Sequence, residues 1–391
     1  GGGLWDERAN SLANQDPIIK RVVNGDTPDD VSVDFGLFWQ VWEKLHDRYV
    51  DKGNLETQKL VYGAISGMVD AAGDPYTTFF EPVAAQKFEE EVSGAFSGVG
   101  MEITKRDGVI TVVAPIKNSP AMKAGVLAGD VIAEVDGKST QTWSTEEAVK
   151  NIRGKQGTTV GLTIYREGAD QALSFTLTRD TIRIPAVELT MLEGGIGYLQ
   201  IFSFNGNVDA EFERSAKELI AQNATGVIID VRNSPVRLLV AAVNIAGWFL
   251  PAQSVVVQEK FGTGVSDQLR ANGNARLAST PVVVIMNKGS ASASEILAGA
   301  LHDIRNIPLV GEKSFGKGSV QQLETFYNGS TLKVTIAKWL TPNGVSISDT
   351  GITPTVEVPS PTASESAQWQ YGTPGKDKQL DRALEIIRQS R

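Results

Sequence analysis

Between Ile184 and His302 the chain alternates three times between a short apolar run and a segment of helical spacing. GIGYLQIF precedes residues 209–223, GVIIDVR precedes residues 238–249, and PVVVIM precedes residues 294–302. Repeated strand–helix alternation builds a parallel or mixed sheet, so the expected fold class is mixed α/β.

The rest of the chain reads differently, and its 391 residues suggest several domains. Residues 1–34 are a polar leader. A helical region follows over residues 35–95. Phe35, Phe38, Trp39, Trp42 and Leu45 fall at helical spacing, then Leu60, Ile65, Met68 and Val69 do so, and GDPYT stops the second helix. A third helix is expected over residues 82–92. From about Ser93 the texture changes to five short β-type runs with two helix-like pieces, near residues 121–124 and 145–152. After the α/β stretch, residues 309–358 are again β-rich. TASESAQ reads as a linker, and residues 377–391 as a terminal amphipathic helix.

Composition removes several function classes. The net charge is -9 with no long Lys/Arg block, which argues against nucleic acid as a partner. With no cysteine, thiolate catalysis, disulfides and zinc–cysteine sites are excluded. Two histidines, His46 and His302, make a multi-histidine metal site a poor expectation, and no metal or cofactor is called for. The first residues, GGGLWDERAN, lack an initiator Met and a signal-peptide pattern, which suggests a trimmed start. A segment removed with it would be the means of any membrane association. The apolar stretch 236–250 contains Arg237 and Asn244 and is too short and polar to span a bilayer.

NKGSASASEI, residues 287–296, lies directly after PVVVIM and before the helix. Loops at the carboxyl ends of strands are favoured site positions in α/β sheets. Ser294 is well placed to cap the helix, and Ser292 is a candidate nucleophile. His302 is ten residues from Ser292, roughly 15 Å along a helix, too far to serve as its base. Lysine is the other known partner of a catalytic serine. It acts only as the neutral amine, which desolvation favours. Lys317, between glycines in GEKSFGKGSVQQ, is one candidate, and Lys288 and Lys313 remain rivals.

A phosphate-binding reading competes. GEKSFGKG nearly matches G-x-x-x-x-G-K-[ST], and GVIID, ending at Asp230, looks like a magnesium-binding strand. The match fails at Gly318, where a hydroxyl is required, and the segment after it is β-like rather than helical.

Taken together, the blocks GDPYTTFFEP, GVGMEI, SPAMKAGVLAGDVIAEVDG, IRGKQGTTV, SASASEI, FGKGSVQQ, LTPNG and GITP resemble, in order, those of the carboxy-terminal processing (tail-specific) proteases. The resemblance covers about residues 35–390. It implies a PDZ domain over residues 96–180, inserted between the helical region and an α/β protease core with a ββα-type sheet over residues 181–391. It implies a Ser-Lys endopeptidase in which Ser292 is the nucleophile, Lys317 the general base and Gln321 the residue that orients the lysine. Ala293 N–H would help hold the oxyanion at the positive end of the helix dipole. Gly98, Val99, Gly100 and Met101 match the loop that receives a peptide carboxylate, with the peptide added as a strand. Arg153 resembles a position linked to substrate sensing. The implied substrates are polypeptides with accessible C-termini. The implied compartment is the periplasm or another extracytoplasmic part of the cell envelope. The helical region suits a homodimer as well as intramolecular packing.

Two positions depart from the family pattern. Where Asn-Pro-Gly-Gly is usual, the chain has Asn233-Ser234-Pro235-Val236-Arg237. Val236 N–H is the candidate second oxyanion donor, yet a β-branched residue resists φ > 0. Arg237 near Lys317 would oppose its protonation. The alternative function is therefore a catalytically impaired peptide-binding scaffold or pseudoprotease. Ser234 could instead cap an earlier-starting helix with Pro235 at its first position. The second departure is Thr355, where aspartate is usual.

Overall fold

The computed structural model describes residues 34–116, 118–234, 238–264, 266–361 and 368–390. The leader before Asp34, the linker residues 362–367 and the tripeptide 235–237, which contains Val236 and Arg237, lie outside the described residues.

Two compact units emerge. One ends at Glu81 and includes Leu323–Val334; the other comprises Pro82–Gln322 and Thr335–Arg391. The first unit contains the expected helices, Gly36–Arg48 and Thr57–Asp70, and a strand, Thr78–Phe80, paired antiparallel with the start of Thr331–Leu340. His46 is occupied locally. Its ring stacks on Trp42 at 5.1 Å, and its Nδ1 is 2.9 Å from the Trp42 carbonyl oxygen.

The second unit opens with helix Pro82–Ser93, which leads into a β-rich body. The five expected strands are there: Met101–Arg106, Val109–Pro115, Val131–Val135, Thr159–Tyr165 and Leu173–Thr178, joined by a short strand, Lys138–Ser139. Helices Pro120–Ala124 and Thr145–Ile152 start on the serines before them: Ser119 and Ser144 each accept an N–H three residues on. The core of this body gathers Ile110, Val112, Ile132, Leu162 and Ile164.

The α/β core has strand order Val187–Leu192, Ile196–Ile201, Gly226–Asp230, Val282–Met286, Leu309–Gly311, Val356–Glu357. All pairs are parallel except the first. Successive side chains of a strand point to opposite faces. Val227, Ile229, Val282 and Val284 pack with the connecting helices, while Ile228, Val283 and Ile285 pack with the terminal helix Lys378–Gln389. Both faces are buried, so the strands read as continuous apolar runs rather than alternating ones. The terminal helix presents Leu380, Ala383, Leu384 and Ile387 to the sheet, one helical stripe. Each buried Leu or Ile there contributes roughly 1.5–3 kcal/mol.

Parallel strands advancing in one direction bring their carboxyl ends to one edge of the sheet. The loops after Asp230, Met286 and Gly311 therefore meet there. Thr355 has a clear task at the opposite edge, where Leu309–Gly311 and Val356–Glu357 begin: its Oγ1 accepts Leu309 N–H at 2.9 Å and donates to Leu309 C=O at 3.1 Å. An ionised aspartate could only accept.

Candidate active site

Ser292 has a strained backbone. Its φ is 45° and ψ -99°, a conformation that costs a non-glycine residue of order 1–3 kcal/mol. It is the N-cap of helix Ala293–Arg305, so its side chain lies at the helix's positive end. The expected cap, Ser294, instead lies inside the helix, and its hydroxyl donates to the Ser234 carbonyl at 3.2 Å. Ala293 is the first helical residue, and an amide in that position has no intrahelical acceptor.

Glu295, one turn into the helix and fully buried, gathers the site. Its Oε2 accepts Ser292 N–H at 2.6 Å and Lys317 N–H at 3.1 Å. Its Oε1 accepts Gly316 N–H at 2.7 Å and the Ser314 hydroxyl at 2.5 Å. Sharing one oxygen puts the Ser292 and Lys317 amide nitrogens within about 6 Å of each other. Burial pushes the Glu295 carboxyl above the ordinary range, and the four donors oppose that rise. Lys317 is also held from its other side, since the fully buried Trp339 donates its indole N–H to the Lys317 carbonyl at 2.9 Å.

The nucleophile loop is braced in turn. Asn287 Oδ1 accepts Asn233 N–H and Gly289 N–H, both at 3.0 Å, and Asn287 Nδ2 donates to Asn233 Oδ1 at 3.0 Å. Ser290 donates to the Val231 carbonyl at 2.8 Å and accepts Asn287 N–H at 3.0 Å. The approach is close enough that a Cβ on Gly289 would lie 2.9 Å from Asn233 Cα.

The other candidates divide. Gln321 sits in strand Ser319–Thr325, and its amide donates to Ser319 Oγ at 2.7 Å. Lys317 precedes that strand, while Ser319, Val320 and Gln321 all keep strand geometry within it. Of the rival amines, Lys288 lies 3.4 Å from the Glu312 carboxylate with its side chain largely in solvent, and Lys313 is exposed. Asp230, considered as a magnesium ligand, is committed to Arg232 at 2.6 Å. The helix after the tripeptide begins at Leu239 with Leu238 as N-cap, so Ser234 does not cap it. No group of three or more His, Asp or Glu side chains among the described residues is placed to hold a metal.

The candidate peptide loop lies in the β-rich body. Gly98 ends strand Ala95–Gly98, Val99 is buried, and Gly100 has φ 76°. The Gly100 carbonyl accepts Ile116 N–H and the Ser119 hydroxyl. Met101 begins Met101–Arg106, which is the edge strand of its sheet and has Thr145–Ile152 packed beside it. An edge strand beside a helix offers a place for an added strand. Arg153, the C-cap of that helix, pairs with Glu90 and lies 4.3 Å from the centroid of the Phe96 ring.

The Peptidase family S41 model matches residues 195–358, and the PDZ domain model matches residues 97–177. The carboxy-terminal processing protease CtpA of Bacillus subtilis is 38% identical over 322 residues, 82% of this chain and 68% of the relative. The carboxy-terminal-processing protease of Bartonella bacilliformis is 37% identical over 83% of this chain and 75% of its own. The chain belongs to the carboxy-terminal processing protease family. The solved structure of an S41-class protein from Bacteroides fragilis, 14% identical, shares the fold with a TM-score of 0.52, covering 94% of this chain and 100% of that one. As a member of this family the chain is a serine-type peptidase with a PDZ domain, and its substrates are polypeptides.

Sequence reading missed three members of this protease's site. Glu295 follows Ser292 by three residues in SASASEI, and an acid at that distance from a cap is the capping-box signal that could have found it. Asn233 and Asn287 were passed over because each finds its partner 54 residues away.

Proposed function

We propose that this protease is an endopeptidase with a Ser-Lys mechanism, cleaving polypeptides that its PDZ domain captures near their C-termini. Ser292 Oγ attacks the scissile carbonyl carbon while the neutral amine of Lys317 takes its proton. The resulting ammonium then gives a proton to the leaving amine as the C–N bond breaks. Gln321 is assigned to orient the lysine, and Ala293 N–H to hold the oxyanion, with Val236 N–H as the second donor. Water resolves the acyl-enzyme by the same steps. The observation that carries this reading is the Glu295 carboxylate, which binds the backbones of Ser292 and Lys317 through one oxygen. The family resemblance supports a compartment outside the cytoplasm, in the cell envelope.

The second reading, a peptide-binding scaffold, is favoured by Val236 and Arg237 standing where the family pattern has two glycines. Loss of one oxyanion donor costs about 2.7–4 kcal/mol in transition-state binding. Cleavage of an unfolded protein by wild type, Ser292→Ala and Lys317→Ala separates the two. Wild-type turnover with both variants inactive is the expected result. A wild type as inert as the variants, yet still binding peptide, overturns the protease reading, and Val236→Gly with Arg237→Gly then tests the cause.

A further inference from the structure

Arg232 follows the strand Gly226–Asp230, and its side chain is 2% exposed. Two carboxylates clamp its guanidinium. Asp230 accepts from Nε at 3.0 Å and Nη2 at 2.6 Å; Asp377 accepts from Nη1 at 3.0 Å and Nη2 at 2.7 Å. Gln379 Oε1 takes a further bond from Nη1 at 2.9 Å, and the Tyr371 ring lies 4.6 Å from the guanidinium carbon. Asp377 is also the N-cap of the terminal helix, accepting Leu380 N–H at 3.1 Å and Gly372 N–H at 2.9 Å.

One arginine between two buried carboxylates leaves a net negative charge, and such an arrangement is a poor source of stability. Helix docking is already served by the apolar stripe. Asp230 alone would neutralise Arg232, but it lies two residues away on the same stretch of backbone. It also accepts the Tyr198 hydroxyl at 2.6 Å, which ties it to the adjacent strand Ile196–Ile201 but not to the terminal helix. Asp377 comes from 145 residues away and references Arg232 to the terminal helix. The next residue, Asn233, is bonded to Asn287 at the head of the nucleophile loop, and the residue before, Val231, receives the Ser290 hydroxyl.

We infer that Asp377 is a positioning residue for peptide hydrolysis: by fixing Arg232 it holds residues 231–234 against the loop that carries Ser292. The inference rests on Ser292 being the nucleophile.

The test compares kcat and KM for an unfolded protein substrate among wild type, Asp377→Asn, Asp377→Ala and Leu384→Ala, each well below its own unfolding temperature. Asn is as good an N-cap as Asp, so Asp377→Asn keeps the cap and removes the charge. Leu384→Ala loosens the same helix without touching the clamp. The expected result is a kcat loss of at least tenfold in both Asp377 variants with KM within twofold. Leu384→Ala should keep more than half of kcat despite an equal or larger drop in unfolding temperature. Unchanged kcat in both Asp377 variants, or a kcat loss that follows stability in all three variants, overturns the inference. Ser292→Ala, run alongside, distinguishes its premise: wild-type-like cleavage there overturns the nucleophile assignment and the inference with it.

Discussion

Asn233 and Asn287 hold each other by two hydrogen bonds, each 3.0 Å long, that tie the ends of two neighbouring parallel strands together. Asn233 has φ 51°, a left-handed conformation that Asn tolerates better than most residues. The pair therefore sets the spacing between the loop after Asp230 and the loop carrying Ser292. Asn287→Ala leaves a part-buried N–H on Asn233 unpaired and releases Gly289 N–H. Stability should fall by about 2 kcal/mol in chemical denaturation. Proteolytic kcat should fall at least tenfold, and KM should hold.

Glu295→Gln should be worse than its size suggests. All four groups that approach Glu295 are donors, and the amide nitrogen of glutamine would face some of them with another donor. We expect a kcat loss of tenfold or more, measured on an unfolded substrate.

The same residue predicts a pH effect. Burial raises its carboxyl in the folded state, so the native protein takes up this proton at a pH where the unfolded chain has released it. The stability linked to Glu295 is thus greatest on the acid side and declines as pH rises from the ordinary glutamate value, about 4.3, through the raised one. Activity runs the other way, because the protonated group cannot accept all four bonds. The acid limb of the kcat–pH profile should therefore begin above the ordinary glutamate range. Glu295→Gln, low at every pH, should keep only the limb that protonation of Lys317 sets and lack the further fall that protonation of Glu295 adds. A wild-type profile flat down to pH 4 contradicts the assignment.

What could be read from sequence here was whatever repeats along the chain. GVIID and PVVVIM announced buried strands because both faces of the sheet are covered, and the helix stripes announced themselves by spacing. Ser292 could be named because a serine loop after an apolar strand has few bland explanations, and the scarcity of histidine moved the search for a base to lysine. The bracing could not be read. Asp377 and Arg232 are 145 residues apart, and Glu295 meets Lys317 across 22 residues. Each residue alone looks like an ordinary cap or surface charge. Ser294 is as well placed as Ser292 to cap the helix on propensity alone, which cannot show which of two nearby serines adopts φ 45°.

Gly100 gives a prediction confined to peptide capture. A Cβ there would lie 2.3 Å from Ser119 Cβ, in a residue whose φ of 76° already disfavours a side chain. Gly100→Ala should displace the Gly98–Met101 loop and weaken binding of a peptide with a free C-terminus by tenfold or more, measured by fluorescence anisotropy. The α/β core does not contain this residue. Turnover of a short ester substrate, which needs only Ser292 and its neighbours, should stay within twofold of wild type.

Ser292 itself offers the sharpest separation of function from stability. Its φ of 45° is held by the N–H bond to Glu295 and by the helix that starts immediately after it, and any residue with a Cβ shares the strain. Ser292→Ala keeps the Cβ, removes the hydroxyl, and should be inactive with nearly unchanged stability. Ser292→Gly also removes the Cβ and should be equally inactive. Glycine enters this conformation without steric cost but loses more freedom on folding, which offsets part of the relief. With strain of order 1–3 kcal/mol and an entropy cost of about 1 kcal/mol, Ser292→Gly should exceed Ser292→Ala in stability by about 1 kcal/mol. Paired urea titrations measure the difference. A glycine variant less stable than the alanine variant would mean that the backbone at Ser292 is relaxed, and that the nucleophile is presented without stored strain.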